Sequence, residues 1–307
     1  MTAPANFLDR FEQLRPRLFG IAYRMLGDAH EAEDLVQECW LRWQDADRDA
    51  IIAPEGWLVA VMTRLAIDRA RRAETERLSY VGPWLPEPIA TGHDSSSPSP
   101  DLEVERESEL SIAFLMLLER LGPEERAAFL LRELFDTDYD EIARIIERTP
   151  ATARQMVHRA RERVREDRVR FDVPPATHRR LLSQFLDALH AGDQDALLSL
   201  FASDATFASD GGGKTSAARR RVLGAERIAR LLIGFDRKGA GLITHQLATF
   251  NGELAIASLV GGKLFMVTAF ATDGERIRHV YRIVNPDKLA ATGFALVGPL
   301  PRREHRR

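Results

Sequence analysis

The chain has 307 residues, longer than one ordinary hydrophobic core supports, which predicts two or three domains. An apolar share of 45% beside 29% charged residues excludes a disordered chain, and no apolar run approaches bilayer-spanning length. A single cysteine, Cys39, excludes intrachain disulfides and Cys-rich zinc sites. The start, MTAPANFLDR, has no basic and apolar leader pattern, so a cytoplasmic protein without membrane contact is expected.

The net charge of -3 hides an uneven distribution. Asp28, Glu31, Glu33, Asp34 and Glu38 form an acidic block without Lys or Arg. Arg64, Arg69, Arg71 and Arg72 follow in a basic one. Asp94 to Glu109 is acidic, and Arg148 to Arg170 is again rich in arginine. Two basic segments separated by an acidic one predict two nucleic-acid contacts on different modules. Solvated helix faces give the same pattern, so charge alone leaves the question open.

In chain order, Phe11, Leu14, Leu18, Ile21 and Met25 recur at helical spacing and predict a helix near 7–26. Gly27 ends it, and Asp28 with Glu31 starts the next in a capping-box-like manner. That second helix carries the apolar stripe Ala32, Leu35, Val36, Cys39, Trp40 and Trp43. A third helix is expected over Glu55–Arg72, with Trp57, Val61 and Leu65 inward. AEDLVQECWLRW (Ala32 to Trp43), followed by PEGWLVAVMTRLAIDRARR (Pro54 to Arg72), resembles region 2 of extracytoplasmic-function sigma factors. The resemblance implies that Glu33, Asp34, Gln37 and Glu38 contact core RNA polymerase. It also implies that Trp57, Arg64, Asp68, Arg71 and Arg72 lie on the helix that melts and reads the minus-ten element. The chemistry suits the role, because a melted strand needs a basic groove and a pocket for an extruded base.

Two short helices broken at Gly122-Pro123 come next, then a helix capped by Asp138 and Glu141. Thr149-Pro150 opens a last helix that buries Ala153, Val157, Ala160 and Val164. It exposes Thr152, Arg154, Gln155, His158 and Arg159. This is a helix-turn-helix pattern whose second helix reads duplex DNA in the major groove. YDEIARIIERTPATARQMVHRARERV (Tyr139 to Val164) resembles sigma region 4, which implies contact with the minus-thirty-five element.

More than a hundred residues follow. Leu181, Leu182, Phe185, Leu186 and Leu189 predict a helix, Asp195–Phe201 another and Ala225–Phe235 a third. Asn251-Gly252, Gly261-Gly262 and Asp273-Gly274 then mark hairpins joining Leu242–Phe250, Glu253–Val260, Lys263–Ala271 and Glu275–Val284. Helices followed by an antiparallel meander define an α+β domain. The arrangement resembles SnoaL-like domains of the cone-shaped superfamily that includes nuclear transport factor and ketosteroid isomerase.

Two motifs sharpen the resemblance: Trp84-Leu85-Pro86-Glu87-Pro88 and Asp210-Gly211-Gly212-Gly213-Lys214. Both are similar to motifs of the extracytoplasmic-function sigma factors fused to a SnoaL-like domain, as is Asn285-Pro286-Asp287-Lys288-Leu289. The expected fold is therefore multidomain: two all-α modules followed by the α+β domain. Expected boundaries are 1–78 for region 2, 79–108 for a linker, 109–170 for region 4, 176–290 for the SnoaL-like domain and 291–307 for a basic tail. In the resembling group the last domain regulates the sigma factor in cis. The WLPEP and DGGGK motifs are the expected regulatory contact, with the glycines permitting close backbone approach. Their spacing is not that of a phosphate-binding loop. Core polymerase and promoter DNA are the implied partners, no metal or cofactor is implied, and an unidentified small-molecule ligand of the last domain is kept open. The alternative is that this domain is a ligand sensor or a residual isomerase or cyclase. His190, His245, His279 and Asp210 would then be its polar candidates, with Phe207, Phe250, Phe265, Met266 and Phe270 lining its cavity. No spacing brings those His and Asp residues together, and a non-enzyme is the expectation.

Overall fold

A computed structural model describes residues 7–47, 50–91, 110–168, 173–239, 241–290 and 292. The acidic tract from Asp94 to Glu109 and the arginine-rich end of the chain lie outside the described residues. The chain forms two compact units.

The first unit is helical. Helices α1 (Phe7–Leu26), α2 (Ala29–Asp45) and α3 (Pro54–Arg77) enclose Leu18, Ile21, Met25, Leu35, Cys39, Leu58 and Met62, all buried. Asp28 caps α2 as the sequence suggests, accepting from the Glu31 N–H at 2.9 Å. Such a cap contributes about 0.5–2 kcal/mol. Trp40 of the expected stripe is only half-buried and leans on Phe11, with ring centroids 4.8 Å apart. Helices α4 (Ile112–Leu118), α5 (Pro123–Glu133), α6 (Tyr139–Ile145) and α7 (Pro150–Arg168) follow. Asp138 caps α6 through the Glu141 N–H at 2.8 Å, and the Thr149 hydroxyl caps α7 through the Thr152 N–H at 3.2 Å. Ala153, Val157, Ala160 and Val164 are buried on the inner face of α7, as their period requires.

The second unit is α+β. Helices α8 (Pro175–Ala191), α9 (Gln194–Leu200) and α10 (Ala225–Gly239) cover one face of a six-stranded sheet, and α11 (Pro286–Ala290) follows the last strand. Strands β3 (Ile243–Phe250), β4 (Glu253–Val260), β5 (Lys263–Thr272) and β6 (Ile277–Ile283) form the expected antiparallel meander. The sheet is larger than the sequence suggests. Phe201–Asp210 is a strand, β1, that pairs in parallel with β6, and Val222–Leu223 adds a short β2. Strand order is β2-β1-β6-β5-β4-β3. Leu182, Phe185, Phe201, Phe207, Leu232, Phe270 and Val280 form the core between helices and sheet. Burying a side chain of the phenylalanine class contributes about 1.5–3 kcal/mol, so these contacts fix the curved sheet over its helices.

Candidate nucleic-acid interface and linker clasp

On α2 the acidic face is displayed to solvent: Asp34, Gln37 and Glu38 are exposed. Glu33 is half-buried and ion-paired with Arg15 at 2.6 Å, which ties its carboxylate to α1. Glu31, on the same helix, is held by Arg69 of α3, whose guanidinium keeps that carboxyl below the usual range.

The five candidate residues on α3 do not share one environment. Trp57 packs against Trp43, with centroids 5.5 Å apart. Arg72 is exposed. Arg64 donates through Nε to the Ile145 carbonyl at 3.2 Å and through Nη2 to the Arg144 carbonyl at 3.0 Å. These carbonyls close the C-terminus of α6, where a cation satisfies otherwise unpaired acceptors. Arg71 pairs with Asp68 at 3.1 Å and with Glu124, at the start of α5, at 2.5 Å.

Deeper along the same seam, Arg126 of α5 is buried and donates to the Met25 carbonyl at 2.6 Å and to Glu119 at 2.7 Å. Arg77 reaches the Leu26 carbonyl at 2.8 Å and also pairs with Glu119. In this conformation Arg64 and Arg71 of α3 are tied to α6 and α5, while Arg64, Asp68, Arg71 and Arg72 all keep exposed surface. On the outer face of α7, Arg154, Gln155, His158 and Arg159 are likewise exposed, and Thr152 is half-buried. Arg154 lies over the Tyr139 ring at 5.4 Å, which orients it without consuming its N–H groups.

In the second unit, Asp210 ends β1 with no exposed side-chain surface. Its carboxylate accepts from the Tyr80 hydroxyl at 2.6 Å, the Leu85 N–H at 2.9 Å, the Gly212 N–H at 3.0 Å and Lys288 Nζ at 2.7 Å. Lys288, on α11, also donates to the Leu85 carbonyl and sits 4.2 Å above the Trp84 ring. Asn285 donates to the Tyr80 hydroxyl at 3.1 Å. Burial, then the bond to Asp210, pushes the Tyr80 phenol well above its ordinary range. The WLPEP segment is thus gripped by residues from both ends of the domain's sequence.

The glycines have a steric reason. A Cβ on Gly211 would lie 2.4 Å from the Thr215 carbonyl oxygen. One on Gly212, which has a φ of +58°, would lie 2.4 Å from Asn285. Beyond the motif, Ile89 and Asn251 exchange bonds of 2.8 and 3.0 Å, and Ala90 bridges to Phe250. Among the described residues Lys214 pairs with Asp287, and both side chains are exposed.

Of the residues weighed for catalysis, His190 and His245 lie side by side, whereas His279 and Asp210 lie in other networks. His245 sits between Asp236 at 3.0 Å and Ser258 at 2.8 Å, with the His190 ring 5.6 Å away. His279 meets Thr206 at 2.8 Å, and Asp210 belongs to the linker clasp. Phe207 and Phe265 do line cavities, whereas Phe270 is part of the core. Sequence reasoning named neither Tyr80 nor Lys288 as contacts. The Asn285–Leu289 motif was the signal that could have pointed to Lys288.

Comparison with known proteins agrees with this geometry. Residues 10–76 match the family model Sigma-70 region 2, and residues 111–164 match Sigma-70, region 4. The ECF RNA polymerase sigma factor SigJ of Mycobacterium tuberculosis is 37% identical over 296 residues, covering 93% of this chain and 94% of the relative. The probable ECF RNA polymerase sigma factor SigI of the same organism is 33% identical over 279 residues, covering 90% and 92%. The crystal structure of the Mycobacterium tuberculosis sigma factor SigJ superposes with a TM-score of 0.74 at 33% identity, covering 93% of this chain and 99% of that one.

Regions 2 and 4 joined to an α+β domain define an RNA polymerase sigma factor. The chain belongs to the extracytoplasmic-function sigma factors, which direct promoter recognition and transcription initiation. Core RNA polymerase and promoter DNA are accordingly its partners. No described helix is long and apolar enough to cross a membrane.

Proposed function

We propose that the second unit regulates this sigma factor in cis by holding the linker, and that it does so without catalysis. The observation that carries the reading is the Asp210 carboxylate, buried and saturated by donors from the linker and from Lys288. Residues 80–109 could extend about 100 Å, but with residues 80–91 held the remainder reaches only about 60 Å. Region 4 is then tethered short, which favours the closed arrangement in which Arg64 and Arg71 are engaged by α5 and α6. Polymerase or a signal must favour an open arrangement for α3 to reach DNA.

Within this reading, Asp34, Gln37 and Glu38 meet polymerase in the cytoplasm, with Glu33 partly committed to Arg15. Trp57, Arg64, Asp68, Arg71 and Arg72 serve the minus-ten element, and Thr152, Arg154, Gln155, His158 and Arg159 the minus-thirty-five element. The scatter of His245, His279 and Asp210 over three separate networks supports a non-enzymatic domain.

Trp84→Ala tests the reading, because it removes the aromatic face over Lys288 and spares the Asp210 ion pair. Promoter output in reconstituted transcription should change at least severalfold, while affinity for core polymerase stays the same. Unchanged output from a folded variant would refute regulation through the clasp.

A further inference from the structure

Arg282 of β6 poses a problem that the sigma-factor role does not solve. Its side chain is buried, and its Nε makes no hydrogen bond to any described residue. The guanidinium is sandwiched 5.3 Å from the Phe207 ring and 4.9 Å from the Phe235 ring. Ring faces attract the cation but leave its N–H edge unserved. Asp236, the acid that bears on it, already accepts from His245 at 3.0 Å. Burial draws the guanidinium down to about 10, so it is still cationic at neutral pH. A buried guanidinium with no hydrogen-bonded anion is costly unless a ligand supplies one.

Space for a ligand is present. Arg282 lines a cavity of about 380 Å³ between α10 and the sheet. A second cavity of about 530 Å³ adjoins it, sharing Ser209, Ala217, Phe235 and Val284. Both volumes fall within the usual range for small-molecule sites. The ionisable residues that line them are Arg282, Arg230, Lys238, Arg219 and Lys214, with no Asp or Glu among the lining residues. Phe207, Phe235, Phe265 and Val284 supply apolar walls.

We propose that this domain binds a small organic anion, an apolar body bearing one carboxylate or phosphate head, with Arg282 receiving the head group. A planar guanidinium between two rings offers its remaining edge to such a group as a fixed fork, which an ammonium cannot do. Val81 and Gly82 of the linker, with Gly211 and Gly213, form one wall of the larger cavity. An occupant would therefore touch the clasp. That coupling rests on the cis-regulatory reading above; the binding itself does not.

Calorimetric titration of the full-length protein tests the site, with decanoate, 4-phenylbutyrate and phenyl phosphate as probes against decanamide and 4-phenylbutyramide. At least one charged probe should bind saturably, and its neutral counterpart at least about tenfold more weakly. Phenyl phosphate binding in place of the carboxylates would assign a phosphate head. Arg282→Met should weaken the charged probe by the same factor. Should that variant not fold, the acid-against-amide contrast on the unaltered protein decides alone. Failure of every charged probe at millimolar concentration, or equal binding of the amides, overturns the site. Hydrogen exchange of the Leu85 and Ile89 amides should change on binding. Unchanged exchange with proven binding would overturn only the coupling to the clasp.

Discussion

The two basic helices offered to DNA, α3 and α7, carry the same chemistry in different conditions. On α3, Arg64 donates to two carbonyls of α6 and Arg71 is paired with Glu124, although both side chains keep exposed surface. On α7, Arg154, Gln155, His158 and Arg159 stand in solvent, with His158 merely facing Glu162 at 3.6 Å. A phosphate or a base must compete with these bonds on α3, whereas on α7 it meets mostly water. Arginine blocks in a sequence thus locate surfaces able to meet nucleic acid, and their accessibility is decided by what folds against them.

The largest effect should come from breaking the clasp that we hold responsible for keeping Arg64 and Arg71 engaged by α6 and α5. Asp210→Ala removes the buried carboxylate that Lys288 meets and strands the Leu85 N–H. The expected loss is about 3–5 kcal/mol in the stability of the second unit, read by chemical denaturation. Accelerated exchange at Leu85 and Ile89 should accompany it. A loss below about 1 kcal/mol with Leu85 still protected would mean that Asp210 does not hold the clasp. Removing both charges, as Asp210→Asn with Lys288→Met, should recover most of the stability, because a paired loss leaves no orphaned ion.

Much of this architecture was legible in the sequence, for local reasons. The seven helices of the first unit follow from apolar periodicity and from caps such as Asp28, Asp138 and Thr149. The hairpins follow from their turn dipeptides; Asn251 adopts a φ of +55°, as that turn requires. Strand β1 escaped because FASDATFASD is rich in Ser, Asp and Ala, and its parallel partner β6 lies some seventy residues on. The exposed face of α7 could be read from its period. The partners of Asp210 could not, since Tyr80 and Lys288 are 130 and 78 residues away. Arg282 was equally hidden, because a strand arginine gives no sign of the two phenylalanines that enclose it.

A sharper separation of α3 from α7 comes from the free protein. Arg154→Ala and Arg159→Ala should each cost about 1–3 kcal/mol in promoter output, roughly 5- to 150-fold, with polymerase affinity unchanged. They should also weaken the residual binding of the free protein to duplex DNA at low salt, because α7 is already open. Arg64→Ala should leave that residual binding unaltered and show its effect only in the polymerase complex. Gel-shift titrations with and without core polymerase measure both. Equal loss of free binding from Arg64→Ala would mean that its bonds to α6 do not withhold Arg64 from DNA.

The smallest effect tests the engagement of Arg71 itself. Arg71 and Glu124 form a pair whose side chains remain 51% and 23% exposed, so it contributes only about 0.2–1 kcal/mol. Even that shifts a two-state balance up to about fivefold, since a factor of ten corresponds to about 1.4 kcal/mol. Glu124→Gln removes the attraction while keeping the shape, and leaves Arg71 with its exposed partner Asp68. Salt should act on the same contact, because charges at the surface are screened within about 10 Å at 0.1 M. The unaltered protein should therefore open as NaCl rises, and Glu124→Gln should start more open and respond less. The Glu124 carboxyl is held below the usual range chiefly by its bond to Arg71. A lowered carboxyl pKa strengthens the closed form above the ordinary carboxylate range and loses that contribution as pH falls through the folded value, so acid should also favour opening. Energy transfer between dyes on cysteines introduced into α2 and α7 reports the separation. Cys39 will not compete for label, being fully buried with its thiol pushed up to about 12 by burial. Superimposable salt curves for the two proteins would show that Arg71 and Glu124 do not hold region 4 over α3.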